Sequence, residues 1–393
     1  MQILIVDDDR LIRMILKRCL SRFGHEVVEA VDGEEAWAIL QEQPIQFVIS
    51  DWMMPNLNGI DLCARIRQTD MGRYIYFILL TARNTKQDII EGIEAGADDF
   101  MPKPFDEHEL RVRLRSGERV VALERDLAEQ NLKIREAYDT IQRDLKAAAE
   151  IQKSLLPASQ RSFNNYAIDW IFQPCEVVGG DGFNFVQIDE NHLAFYIWDV
   201  AGHGIPAAML SVTISKMLTQ DLISNAYEHQ DRETLTPATI LAKLNNSFQA
   251  DDDAMQYFTM IYGIINMDTG KVLLGQAGHP SPLLIKPNNE TVAVGEGGMP
   301  LGLIPDMTYD EEEYSVYLQP GDRLVLYSDG VTECLNPDRE MFTTERLIDH
   351  LTVSTQQPLD TTLEALHDSL ITWRGSDAFD DDVSLFAIER RAA

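Results

Sequence analysis

Asp7, Asp8 and Asp9 follow the first apolar run of the chain, and Asp51, Thr81 and Lys103 each follow a later one. Carboxylates gathered at one sheet edge repel one another unless a hard cation lies between them, and an oxygen-only donor set suits Mg2+. A lysine beside them supplies a mobile positive charge for a phosphoryl group, and the Thr81 hydroxyl can hydrogen-bond the same group. A second series of acids stands further on: Asp181 in GGDGFN, Asp199 in WDVAGHG, Asp329 in YSDGVTE, and Asp380, Asp381 and Asp382 in FDDDVSL. Any one of these could be a turn, because Asp-Gly is a common turn pair. Four of them at strand termini, with no matching Lys or Arg nearby, make an oxygen-rich pocket that needs cations to be stable. Two divalent ions sharing carboxylates are the usual arrangement for activating water against a phosphate ester. Gly179 and Gly180 let backbone pass close to such ions or to the phosphate. His203 reads equally as a general acid or as a structural loop residue. His279, in a GHPSP turn, reads as structural.

These groups need elements to carry them. Residues 1–106 alternate short apolar runs, at 3–6, 26–30, 47–50, 76–80 and 99–101, with amphipathic stretches that begin near residues 10, 33, 59 and 86. That pattern predicts a doubly wound α/β domain with a parallel sheet, in which ligands bind at the carboxyl ends of the strands. Residues 107–156 hold ten acids and ten bases and end at Pro157. Val120, Leu123, Leu127, Ile134, Tyr138, Ile141, Leu145, Ala148 and Leu155, with Gln130 and Gln152 filling the gaps, keep steps of three and four with one extra four at Ile134–Tyr138. A narrow heptad stripe with one stutter predicts a coiled-coil linker, and hence a homodimer through residues 120–155. Residues 157–393 change to hairpins, at 185–188 with 193–200 and 257–266 with 271–276, and to buried strands at 324–327 and 383–388. Helical stretches lie near 206–222, 237–248, 344–352 and 361–373. This mix predicts an α+β domain of two packed sheets flanked by helices.

The net charge of −31 lies mostly in the last region, at −24 against −7 for residues 1–106 and zero for the linker. A surface this acidic repels phosphate backbones, so no nucleic-acid contact is expected. No run of about 18 apolar residues is present, so no membrane span is expected, and the acids in MQILIVDDD do not suit a signal peptide. Cys19, Cys63, Cys175 and Cys334 show no CxxC spacing. A cytoplasmic location fits best.

VDDD, SDWMMPNLNGID, LLTA and AGADDFMPKPF resemble the CheY-like, flavodoxin-like receiver domain of two-component response regulators. That resemblance implies phosphorylation of Asp51 by a cognate histidine kinase. It implies Mg2+ held by Asp8, Asp51 and the Met53 carbonyl, with Asp7 assisting through water. Thr81 and Lys103 would grip the phosphoryl group, and Phe100 would occupy the aromatic switch position, where the family often has Tyr. The four later motifs, together with AEIQKSLLP, GHPSPLL and GMPLGL, resemble the metal-dependent PPM serine/threonine phosphatases of the SpoIIE and RsbU branch. That implies two Mn2+ or Mg2+ ions bridged by Asp199, with the Val200 carbonyl, Asp329, Asp381 and Asp181 completing them as the catalytic set. Asn184 departs from the family's GGDxYD form.

Together the expectation is a response regulator whose Asp51 phosphorylation controls a protein serine/threonine phosphatase. The substrate implied by the resemblance is a phosphorylated anti-sigma-factor antagonist of the STAS kind. The alternative is a receiver-controlled adaptor with an inactive phosphatase-like domain that binds a sigma or anti-sigma factor. A helix of some fifty residues spans roughly 75 Å, so the two sites can communicate only through a two-state element between them.

Overall fold

The computed structural model describes residues 1–82, 86–157, 161–163, 165–227, 236–248, 257–310 and 313–391. The chain divides into two compact units, Met1–Thr140 and Ile141–Ala393.

In the first unit, β1 (Gln2–Val6), α1 (Arg10–Arg22), β2 (Glu26–Ala30), α2 (Gly33–Glu42), β3 (Phe47–Asp51), α3 (Gly59–Gln68), β4 (Tyr76–Thr81), α4 (Lys86–Glu94) and β5 (Asp99–Pro102) alternate along the chain. The strands form one parallel sheet in the order β2-β1-β3-β4-β5. Successive side chains of a strand point to opposite faces, and a sheet covered on both faces reads as a continuous apolar run. Thus Ile3 and Ile5 face Leu16 and Leu20 of α1, whereas Leu4 and Val6 face Trp37 and Leu40 of α2. The chain leaves β1 toward one side and returns as β3 on the other. Asp7 and Asp51, which follow those strands, therefore share one edge.

The long helix α5 (Glu107–Leu155) runs 49 residues without a break. Its first turns bury Leu110, Leu114 and Val121 against the sheet of the first unit. Further on, Leu123, Leu127, Ile134, Tyr138 and Ile141 are 54–66% exposed and leave the heptad stripe open. Gln152, expected in that stripe, departs from it. It is buried in the second unit, for a reason that belongs to the site below.

The second unit is a two-sheet sandwich. One antiparallel sheet runs β14 (Glu313–Tyr317), β11 (Lys271–Ala277), β10 (Phe258–Asn266), β9 (His192–Val200), β8 (Gly182–Gln187). The other runs β13 (Thr291–Ala293), β12 (Leu283–Ile285), β15 (Arg323–Tyr327), β16 (Val383–Arg390), β7 (Tyr166–Gln173), β6 (Arg161–Phe163). Phe183, Phe185, Phe195 and Phe386 meet between the sheets with ring centroids 5.7–6.3 Å apart. Their neighbours Tyr196 and Trp198 turn to the opposite face, under α6 (Ile205–Tyr227) and α7 (Pro237–Ser247). The second sheet is covered by α8 (Asp329–Thr332), α9 (Thr343–Val353) and α10 (Leu359–Arg374). Strands β12 and β13 are three residues long, too short to show a period, and β7 also escaped the sequence pattern. Asp329, expected at a turn, opens α8. Among the described residues no helix is long and apolar enough to cross a membrane.

Gly117, the single glycine of α5, sits where that helix crosses the sheet. A Cβ there would lie 2.4 Å from the Phe47 ring and 2.6 Å from that of Tyr76. In an open helix Gly→Ala gains about 1 kcal/mol. Here Gly117→Ala is expected instead to lose about 1–3 kcal/mol through overcrowding. Urea unfolding followed by Trp37 and Trp52 fluorescence measures this, and a variant as stable as wild type would contradict the close crossing.

Candidate active site

At the edge of the first sheet, one carboxylate oxygen each from Asp7, Asp8 and Asp51 lie within 4.8 Å of one another. Lys103, just past β5, places Nζ 2.7 Å from Asp7 Oδ2 and 2.7 Å from Asp51 Oδ1. Asp7 is fully buried and its Oδ1 accepts the Asp9 N–H at 2.9 Å. Burial pushes the Asp51 carboxyl above its ordinary range, against the pull of Lys103. Burial also works against the Lys103 ammonium, but its hydrogen bonds to Asp51 and Asp7 outweigh that and hold it above its usual range. Thr81 ends β4, 4% exposed, at the same edge. The Phe100 ring lies against α4, where a Cβ on Gly92 would come within 2.3 Å of it. Met53 follows in the loop after β3 with its side chain in solvent.

The second unit brings the other acids to one end of the sandwich. Asp181 immediately precedes β8, Asp199 is the penultimate residue of β9, Asp329 opens α8, and Asp381 lies two residues before β16. Burial, then the charges of Asp329 and Asp381, push Asp199 up to about 7. Burial and Asp381 push Asp329 up to about 6. Asp181, 2% exposed, is raised well above the carboxylate range by burial and by Asp199. Its Oδ2 has no hydrogen-bond partner among the described residues, and an orphaned buried carboxylate oxygen in an all-oxygen setting fits a divalent cation. Among the described residues no three of these four aspartates reach the 4.8 Å spacing seen in the first unit, although the side chains of Asp181 and Asp199 hydrogen-bond. The trio that does reach that spacing here is Cys175, Asp381 and Asp382. Burial, with Asp382 beside it, pushes the Cys175 thiol up to about 12.

Asp382 has a different task from its neighbours. Its Oδ2 accepts the N–H groups of Gly180 and Asp181 at 2.6 and 3.1 Å, and its Oδ1 accepts that of Cys175 at 2.8 Å. Gly179 is required beneath it, since a Cβ would fall 2.4 Å from Oδ2. Gly180 likewise lets the loop pass the Val200 carbonyl, 3.0 Å from where its Cβ would be. The sequence pattern could not single out Asp382 from the run Asp380–Asp381–Asp382, because its partners lie some 200 residues away. The expectation of no basic partner also needs correction. Asp380 pairs with Arg374 Nη2 at 2.5 Å, brought there by the end of α10.

Two side-chain links join α5 to this loop and to the β8 strand that follows it. Gln152 Nε2 donates to the Gly179 carbonyl at 2.6 Å while Gln152 Oε1 accepts the Gly179 N–H at 3.1 Å. Asn184 Nδ2 donates to the Leu155 carbonyl at 3.0 Å and satisfies one of the carbonyls left open where α5 ends. A buried amide needs such partners, which is why Gln152 leaves the heptad stripe. His203 Nδ1 lies 2.9 Å from Glu176 Oε1 at the rim. His279 is buried, hydrogen-bonds Thr259 at 2.8 Å, and is pulled by burial down to about 3; it is a neutral core residue.

A carboxyl that binds its proton more tightly folded than unfolded makes the fold less stable as pH climbs from about 4 to its folded value. Without metal, the acidic cleft should therefore weaken between about pH 4 and the value of about 7 reached by Asp199. Asp199→Asn should raise the thermal midpoint of chelator-treated protein at pH 8, with the gain shrinking toward pH 5. A variant melting at or below wild type at pH 8 would show that Asp199 is not under repulsion.

The comparisons agree with this division. Residues 3–115 match the response regulator receiver domain, and residues 189–391, just over half the chain, match Stage II sporulation protein E (SpoIIE). The transcriptional regulatory protein AfsQ1 of Streptomyces coelicolor is 40% identical over 121 residues, 30% of this chain and 52% of that one. The transcriptional regulatory protein CpxR of Klebsiella pneumoniae is 44% identical over 115 residues, 29% of this chain and 48% of its own. The chain thus spans about half the length of the curated relatives it matches. The SiaA-PP2C domain of Pseudomonas aeruginosa shares the fold at a TM-score of 0.56 and 20% identity, over 64% of this chain and 98% of that one. With a receiver domain in its first third, the chain belongs to the Stage II sporulation protein E (SpoIIE) family.

Proposed function

We propose that phosphorylation of Asp51 by a histidine kinase controls a metal-dependent serine/threonine phosphatase housed in the second unit. The observation that carries this is the meeting of Asp199, Asp329 and Asp381 with the buried Asp181 at one end of the sandwich, where Asp181 Oδ2 has no hydrogen-bond partner among the described residues. Asp199, Asp329, Asp381, Asp181 and the Val200 carbonyl would hold two Mn2+ or Mg2+ ions, and Asp7, Asp8, Asp51 and the Met53 carbonyl would hold Mg2+ in the receiver. The bound ions supply Lewis-acid chemistry for hydrolysis of a phosphate monoester. The residues of the chain do the rest. Asp382 holds the 179–181 loop, Gly179 makes room for its carboxylate and Gly180 for the Val200 carbonyl, and the ring of carboxylates repels phosphate until cations neutralise it. The substrate is a phosphoseryl or phosphothreonyl protein, by family resemblance an anti-sigma-factor antagonist with a STAS domain.

Residues 1–106, 107–156 and 157–393 are the receiver, coiled-coil linker and phosphatase parts of this scheme. The exposed stripe on α5 pairs with the same stripe of a second copy through residues 120–155. Gln152 and Asn184 support a mechanical route, since both join the end of that helix to the 179–184 segment. A change in pairing that shifts or turns the helix end would move the Asp181 loop. A marginal, stuttered seam can be biased by the few kcal/mol that one phosphorylation supplies.

Mn2+-dependent release of p-nitrophenol from p-nitrophenyl phosphate tests the catalytic reading. Asp199→Ala and Asp329→Ala should each abolish it. Activity within tenfold of wild type, about 1.4 kcal/mol of barrier, would overturn the assignment. No turnover with metal bound would favour the adaptor role. Labelling by acetyl phosphate should require Mg2+, be labile to hydroxylamine and vanish in Asp51→Asn. For the coupling, Ile141→Asp with Leu145→Asp should give a monomer whose phosphatase no longer responds to Asp51. A double variant that stays dimeric and responsive would make the helix a passive tether.

A further inference from the structure

Four strands point at the acidic cleft, and the inward-facing row of each runs out into a polar residue there. In one sheet of the sandwich the rows are Phe185, Phe183, Asp181 at β8 and Phe195, Ile197, Asp199 at β9. In the facing sheet they are Leu324, Leu326, Ser328 at β15 and Ile388, Phe386, Ser384 at β16. Side chains two apart on a strand share a face. Phe183 and Phe386 meet across the sandwich with ring centroids 5.7 Å apart, so the next residues outward, Asp181 and Ser384, face one another at its end.

The scheme above has a task for the two acids and none for the two serines, both of which are fully buried. Ser328 is engaged with the backbone. Its Oγ donates to the Asp382 carbonyl at 3.0 Å and accepts the Ser384 N–H at 3.0 Å, while its own N–H donates to the Ser384 carbonyl at 3.0 Å. The Ser384 backbone is thus clamped at both its N–H and its carbonyl. The Ser384 hydroxyl, by contrast, has no hydrogen-bond partner among the described residues, and neither has Asp181 Oδ2. The hydroxyl is nonetheless near enough to favour the ionised form of Asp181. Burying a hydroxyl without a partner destabilises a fold, and alanine would fill the position without that penalty. Stability does not explain Ser384.

We propose that Ser384 is a positioning residue for the cation set, whose hydroxyl turns to donate to Asp181 and holds that carboxylate in the orientation a divalent cation takes. This rests on the metal-binding reading of the cleft and deepens it. A hydroxyl carries one proton that rotates to suit its acceptor. With its backbone clamped by Ser328, Ser384 directs the Asp181 carboxylate instead of following it.

Mn2+ binding provides the test, measured by calorimetry on the full chain in an Asp8→Ala background, so that the receiver site does not contribute. Ser384→Ala should weaken Mn2+ binding about 10–100-fold, the usual loss when the partner of a metal-ligating side chain is removed. Its metal-free thermal midpoint should be no lower than that of the parent, since no unpaired hydroxyl remains. Ser384→Thr keeps the hydroxyl and should bind Mn2+ as the parent does. If its extra methyl prevents folding, Ser384→Gly, which also lacks the hydroxyl, should repeat the weakening seen with alanine. Unchanged affinity in Ser384→Ala, or a lost affinity that comes with a lowered metal-free midpoint, would overturn the proposal alone. A parent that takes up no Mn2+ would overturn the metal reading beneath it as well.

Discussion

The carboxylate of Asp382 is the constraint on which the acidic cleft depends. It gathers three backbone N–H groups from the 175–181 segment and fixes them to the start of β16. Asp181 lies at the end of that segment and Asp381 next to Asp382 itself, so a single buried acceptor sets two of the four cleft acids in place. Hydrogen bonds to a charged acceptor are stronger than neutral ones, and here they are shielded from water. Asp199 and Asp329 arrive independently, from β9 and from the start of α8, because the two sheets end side by side. The result is a set of carboxylates held together by the fold against their own repulsion. Burial, and after it the charge of a neighbouring acid, raises Asp181, Asp199 and Asp329.

The same loop is also where the long helix acts on the second unit. A primary amide that both donates to and accepts from one glycine is a directional contact, since rotating or sliding the helix breaks both bonds together. Asn184 adds a second tie at the helix end. The family-like pattern favours an acid at that position. Here the Asn184 side chain serves the helix, as a hydrogen bond to the Leu155 carbonyl.

The receiver site solves its charge problem differently. Lys103 sits 2.7 Å from both Asp7 and Asp51 and neutralises part of the cluster without any ion. Its three acids lie within 4.8 Å of one another.

Much of this was written in the residue order itself. The unbroken runs at Ile3–Val6 and Phe47–Ile49 need both faces covered and so dictate a parallel sheet between helices, because alternate side chains must all find apolar partners. The heptad steps from Val120 to Ile141 likewise announce a long helix with a narrow apolar stripe, since period is a local property. What the sequence could not determine were the pairings between distant positions. Whether Asp380, Asp381 or Asp382 served the backbone, whether Gln152 faced a partner helix or Gly179, and which acid Arg374 would meet each depend on groups brought together from elsewhere in the chain. Periodicity describes one element at a time, whereas a buried polar group is placed by whichever donor or acceptor the rest of the fold puts within hydrogen-bonding reach. Only the tertiary structure decides that.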